Sequence, residues 1–277
     1  MNFRSIVNNI EALAPLSDTT QIVRGLYEDG AQNVNIVKLV KAIETDAALT
    51  VNILKMINSP LYGFSKQINS ISQAVTLFGT QTVYGLVVRY SIESLIIANL
   101  RPYGLSNSKF NDICHMQSAL MNQWYSKVNL QDAQFLAPLA LIMESGKLVV
   151  AQEVVHGSNI KEFISGLKKA SNISEYENAI FGTSSYYVSG LLFEHWHLDI
   201  LYVDTLKGLD FEHDGASKRD NYVDALDVVR TAVNVTDIFT QESINSAAEI
   251  VSEMGLDTLS FKNICIGLKE IYIKNKS

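Results

Sequence analysis

Asn58-Ser59-Pro60-Leu61-Tyr62-Gly63 is the phrase on which the reading of this chain turns. Ahead of it, Glu44-Thr45-Asp46-Ala47-Ala48-Leu49 leads into an apolar run in which Leu49, Ile53 and Ile57 recur every fourth residue, one face of a helix. Asn, Ser, Pro and Gly each favour a turn over continued helix, so the phrase ends it. Beyond it, Ser70 and Gln73 stand three apart, as in a capping box, just before Ala74, Val75, Leu77 and Phe78. Gly79 is a stop signal ahead of a further helical stretch. The local sequence therefore predicts helix, turn, capped helix, glycine stop, helix.

The same periodicity extends outward. Apolar residues at 34, 36, 37, 39, 40 and 43 form a broad amphipathic stripe. Residues 82–100 make the most membrane-like segment, yet Arg89 and Glu93 interrupt it, four apart and able to pair on one face. That segment is too polar to span a bilayer and reads as a buried or domain-bridging helix. Pro102, Gly104 and the polar residues 106–108 mark the best boundary, with a second helical region starting near Phe110. Residues 207–222 read in part as a loop, and 223–240 and 246–274 as closing helices. No sustained alternation calls for a sheet. The expected fold is all-α: an N-terminal helical bundle over 1–105 and a second helical bundle over 106–277.

Composition narrows the function classes. In 277 residues, 47% are hydrophobic and 18% charged, enough for a sizeable core and unlike a disordered chain. The net charge of −7, with the basic residues scattered singly or in pairs, argues against phosphate-backbone binding as the main business. Cys114 and Cys265 stand far apart and read as two buried thiols in a reducing compartment. The opening residues, with Ile6, Val7, Ile10 and Leu13, are amphipathic and lack the apolar core of a signal peptide, so a cytoplasmic location is expected.

Several separately spaced phrases, in order, resemble the HDOD family, the HD-related output domain of bacterial signalling proteins. They are Leu13-Ala14-Pro15-Leu16-Ser17, Asp46-Ala47-Ala48-Leu49, the 58–63 phrase, and Ser70-Ile71 through Gly79. Ser17, Ala47 and Phe78 depart from it, where Pro, Pro and Leu are usual. The likeness is strong over residues 10–95 and weaker afterwards. Within the 58–63 turn, Asn58 and Ser59 are expected to satisfy helix-end carbonyls, Pro60 to forbid continuation, and Tyr62 and Gly63 to complete an anchored turn.

The resemblance implies kinship with the HD metal-dependent phosphohydrolases, which need a His, an adjacent His-Asp pair and a distant Asp to hold metal ions that activate water. Leu141-Ile142-Met143-Glu144-Ser145-Gly146-Lys147-Leu148 keeps the frame of the His-Asp phrase, but Met143 and Glu144 hold the ligand positions. His115 stands where the first His is expected, with Cys114 one residue away. Ser185 falls at another His position, and Leu209-Asp210 where a His-His pair is frequent. None of Ala232, Val233 and Asn234 supplies the closing carboxylate, and Asp237 lies one turn further on. These are vestigial positions, so no metal and no cofactor is expected.

Other clusters have plainer readings. His195 and His197 point about 200° apart on a helix and cannot easily share a metal beside Trp196. Glu212, His213 and Asp214 read as a solvated turn, Glu153 and His156 complete no motif, and Gly146-Lys147 lacks the rest of a phosphate loop. The expected function is non-catalytic: a signal-transduction output or adaptor protein that binds a separate protein chain, without nucleic acid or membrane insertion. Two rivals stay open. One is a degenerate hydrolase of a nucleotide or phosphate ester through His115, Glu144 and Asp237. The other is a small-molecule sensor using the pocket near Met143.

Overall fold

The structure, a computed structural model, describes residues 2–62, 66–157, 160–210 and 218–276. Gly63 of the turn phrase, and Glu212, His213 and Asp214, lie outside the described residues. Helices run in the order α1 (Phe3–Glu11), α2 (Asp18–Gly25), α3 (Ile36–Glu44), α4 (Ala47–Ile57), α5 (Ile71–Leu95), α6 (Asn107–Tyr125), α7 (Leu130–Ile142) and α8 (Gly146–His156). They continue as α9 (Ile160–Leu167), α10 (Ile173–Phe181), α11 (Ser185–His195), α12 (Ile200–Gly208), α13 (Lys218–Ala232), α14 (Gln241–Glu253) and α15 (Thr258–Lys276). Among the described residues the extended structure is one isolated antiparallel bridge, Val233 to Ile238. The fold is all-α.

Local chemistry sets the helix ends. Asp46 Oδ1 accepts the Leu49 amide at 2.9 Å and Ser70 Oγ the Gln73 amide at 3.2 Å, caps worth about 1 kcal/mol each. The return arm of the capping box reaches one residue further back, the Asn69 amide donating to Gln73 Oε1 at 2.9 Å. Gly79 breaks α5 into two segments with φ 80 and ψ 164, a conformation that a side chain would oppose. Leu49, Ile53 and Ile57 are all buried, and Arg89 pairs with Glu93 at 2.7 Å.

Two closing helices differ from expectation. The predicted helix over 223–240 stops at Ala232, because the Asn234 side chain collects the amides of Thr236 and Asp237 and offers the backbone an alternative to helix. The predicted helix over 246–274 is split at Gly255 (φ 71), and Asp257 Oδ1 then caps α15 through the Leu259 and Ser260 amides. The longest apolar helical stretch is Leu130–His156 rather than 82–100, and 94% of its most apolar window is buried inside the fold.

The core runs the length of the chain. Helix α5 packs on α2, α3 and α4 on one side and on α7 on the other, while α6 packs on α7, α13 and α15. Helix α1 lies against α8 and α11, where Ser5 Oγ and Asn9 Nδ2 donate to Glu153 Oε2 at 2.8 and 3.1 Å. Trp196 Nε1 donates to the Ala14 carbonyl at 3.1 Å, and Arg24 Nη1 to the Trp196 carbonyl at 2.7 Å. Glu153 and Trp196 thus bind the first 25 residues to the second half.

Candidate functional site

Between α7 and α8 the backbone tightens into a 3-10 turn over Met143–Ser145. The turn sits hard against α11. A Cβ on Gly146 would lie 1.9 Å from the Ser185 carbonyl oxygen and 2.7 Å from the Ser189 nitrogen, so this approach needs glycine. The Gly146 amide donates to Ser189 Oγ at 2.7 Å, and Ser189 Oγ donates to the Met143 carbonyl at 2.7 Å. Small residues on both sides let the backbones touch, and this swings Glu144 and Lys147 inward.

Glu144 and Lys147 are three residues apart and share a face. Lys147 Nζ lies 2.6 Å from Glu144 Oε2 as a close ion pair and donates to Ser185 Oγ at 2.9 Å. The ammonium also sits 4.1 Å over the Tyr186 ring. Glu144 Oε1 accepts from Gln117 Nε2 at 2.7 Å and from Tyr186 Oη at 3.0 Å, and Gln117 Nε2 is shared with the Val233 carbonyl at 2.8 Å. Behind them, Glu177 accepts the Ser185 amide and the Tyr103 hydroxyl, each at 2.6 Å. Glu144, Lys147, Gln117, Glu177 and Ser185 are all 0% exposed.

Burial works against the Lys147 ammonium, but Glu144, with Tyr186 and Glu177 adding to it, outweighs that and holds its pKa above the usual lysine value. Lys147 is therefore a fixed internal cation. Burial, then the Glu144 charge, raises the Tyr186 pKa, so the phenol stays protonated and donates. On the solvent side, the Arg230 guanidinium lies 4.9 Å from the Tyr186 ring centroid, pairs with Asp227 and donates to the Leu209 carbonyl at 3.0 Å. Tyr186, Arg230, Asn234 and Asp237 help line a polar cleft of about 410 Å³.

The sequence-derived positions fall out as follows. Glu144 and Ser185 meet in the centre through Lys147, while Met143 is buried and contributes its carbonyl to Ser189. Leu209 is buried and offers its carbonyl to Arg230. His115 lies elsewhere on α6: burial, then Arg89, lowers its pKa to about 4, and Asp112 opposes the shift. Gln117, two residues on, is the α6 side chain that reaches Glu144. Asp237 opens on the cleft, outside the sealed group.

In the 58–63 turn, Asn58 Nδ2 donates to the carbonyls of Leu54 and Ile68, each at 2.8 Å, and Asn58 Oδ1 accepts the Ile68 amide at 2.8 Å. Ser59 Oγ accepts the Leu61 amide at 3.4 Å, and Pro60 opens a 3-10 turn over Pro60–Tyr62. Tyr62 stacks edge-on against Phe78 at 5.5 Å, and its hydroxyl reaches Ser118 Oγ at 3.4 Å.

Sequence reasoning passed over Gln117, Lys147, Tyr186 and Glu177. One local signal was present, the Glu144-to-Lys147 spacing of an intrahelical ion pair; the others have none. The donor set does not fit a hydrolytic metal. Of the two positions that the resemblance assigns to ligands, Met143 brings a thioether and Glu144 a carboxylate neutralised 2.6 Å away by an ammonium, so a second cation would meet that charge directly. Among the described residues no group of three or more His, Cys, Asp or Glu is placed to hold a metal.

An all-helical fold with a sealed, charged centre between the Met143–Ser145 turn and α11 is the class these features define. The HDOD domain profile matches residues 13–208, and the chain belongs to the HDOD family. The fold is similar to that of an HDOD domain protein of unknown function from Geobacter sulfurreducens (17% identity, 98% of this chain and 93% of that one, TM-score 0.68). It is also similar to a candidate phosphohydrolase from Shewanella amazonensis (15%, 96% and 94%, TM-score 0.67) and to a virulence factor from Campylobacter jejuni (22%, 93% and 93%, TM-score 0.56). None of the curated proteins matches the sequence.

Proposed function

We propose that this chain is a non-catalytic output or adaptor protein of bacterial signal transduction, acting by binding a separate partner protein. The observation that carries the reading is the Lys147 ammonium seated against Glu144, the one carboxylate left at the His-Asp position. A scaffold that supplies its own cation there keeps the fold without the metal chemistry, and function then lies in binding. The rival hydrolase would draw on His115, Glu144 and Asp237, but Glu144 is sealed and spent on Lys147, while Asp237 faces the cleft.

The test is elemental analysis of protein purified without chelator, with phosphodiesterase and phosphatase assays in added Mn²⁺, Ni²⁺ and Fe²⁺. Metal well below one ion per chain and no chelator-sensitive hydrolysis are expected. Metal near one ion per chain that survives dialysis, with turnover, would overturn the reading.

The 410 Å³ cleft favours a second reading, a small-molecule sensor. Met143, which is fully buried, is not among the residues that line it. Saturable thermal stabilisation by a nucleotide or sugar panel, abolished in Arg230→Ala, would support it.

A further inference from the structure

Helix α15 buries Phe261, Cys265 and Leu268 against α6, α14 and the Pro60–Tyr62 turn. Its opposite face carries Leu259, Ile266 and Ile273, which are 68%, 49% and 56% exposed. Their seven-residue spacing is nearly two helical turns, so they form one straight apolar ridge roughly 20 Å long. Lys262 and Lys269 repeat the same spacing along one flank, and neither makes an ion pair among the described residues. Lys127 adds a third positive charge at the helix start, donating to Ser260 Oγ at 3.1 Å. Asp257 caps the start of α15 and Glu270 lies on the ridge's other flank, so the positive charge is concentrated on the Lys262–Lys269 flank.

We propose that this face of α15 docks an acidic amphipathic helix of the partner protein; the proposal rests on the adaptor reading above. Leucine-like side chains of the incoming helix would seat between Leu259, Ile266 and Ile273, and its glutamates would meet Lys262 and Lys269. The charge pattern selects this occupant over a second copy. Antiparallel two-fold pairing through Ile266 stacks Leu259 on the second copy's Ile273, but it also sets Lys262 beside the second copy's Lys269, like charge against like. Helix α15 lies beyond the residues matched by the family profile, yet it packs on the Pro60–Tyr62 turn and on α6, which carries Gln117. A helix bound there would sit one layer from both.

The probe is a fluorescently labelled 22-residue peptide with leucines at helical i, i+3, i+7 spacing and glutamates on both flanks, beside a matched peptide with lysines for the glutamates. Anisotropy with the full chain should show the acidic peptide bound at least tenfold more tightly than the basic one. Lys262→Glu/Lys269→Glu should invert that preference. Leu259→Ser/Ile266→Ser/Ile273→Ser, checked for native helicity, should lose at least tenfold. Equal affinity for the two peptides, or undiminished binding by the serine variant, overturns the proposal. So does a concentration-dependent dimer that the serine variant abolishes, which assigns the face to a second copy.

A photo-crosslinker survey of the surface in source cells separates the two levels. A partner captured by wild type and serine variant alike leaves the adaptor reading standing and removes α15 as its dock. No partner captured from any surface removes both.

Discussion

Glu144 Oε2 and Lys147 Nζ lie 2.6 Å apart on successive positions of one helical face, and both side chains are sealed from solvent. The pair forms the charged centre of the buried group between the Met143–Ser145 turn and α11. Burying two charges is costly, and the Gln117, Tyr186 and Ser185 hydrogen bonds offset that cost.

Removing one partner leaves the other charge buried alone. Lys147→Met and Glu144→Gln should each destabilise by about 3–5 kcal/mol, and the double variant by less than the sum of the two. Urea denaturation of the four proteins completes the cycle. Additive losses would mean that the two side chains do not depend on each other.

Gly146 and Gly267 should respond to alanine in opposite directions. At Gly146 the new methyl would strike the Ser185 and Ser189 backbone, where neither helix can yield, and a loss above about 3 kcal/mol is expected. At Gly267, in α15, the same methyl meets nothing within 4 Å, and a gain of up to about 1 kcal/mol follows from helix propensity. Thermal melts of the two variants check both signs.

Asn58 closes the loop to Ile68 from both its amide nitrogen and its oxygen. Asn58→Ala should cost about 2–4 kcal/mol, from the loss of three hydrogen bonds at roughly 1 kcal/mol each. Asn58→Asp keeps the acceptor for the Ile68 amide but no donor, and should recover only part. Limited proteolysis should show cleavage between residues 58 and 68 first in the alanine variant.

His115 makes stability depend on pH. Its folded pKa of about 4 lies below the ordinary 6.5, so between those values the unfolded chain binds the extra proton. Stability is therefore full above about pH 6.5 and falls as pH drops toward 4, by roughly 1–3 kcal/mol from this group. His115→Asn should flatten that part of the profile. An unchanged slope between pH 6.5 and 4 would remove His115 as its source.

Much of the architecture was legible residue by residue. The four-residue recurrence of Leu49, Ile53 and Ile57, the cap at Ser70 and the stop at Gly79 each act within about one helical turn, and each is present as read. Apolar character alone misled where neighbours decide. Ile36 and Val37 belong to the stripe over 34–43 yet are 50% and 77% exposed. The apolar residues after Ala232 form a bridged loop, because Asn234 side-chain bonds outcompete helix there.

By itself the sequence determined the all-helical class and the family, since each is written in side-chain identity and short-range spacing. The tertiary structure alone decided what surrounds Glu144 and Lys147. Lys147 becomes an internal cation through Ser185, 38 positions away, and Glu144 is fixed by Gln117 and Tyr186, 27 and 42 positions away. The physical reason is reach: helix periodicity and capping act over three or four residues, whereas a buried charge is set by whichever helices pack around it.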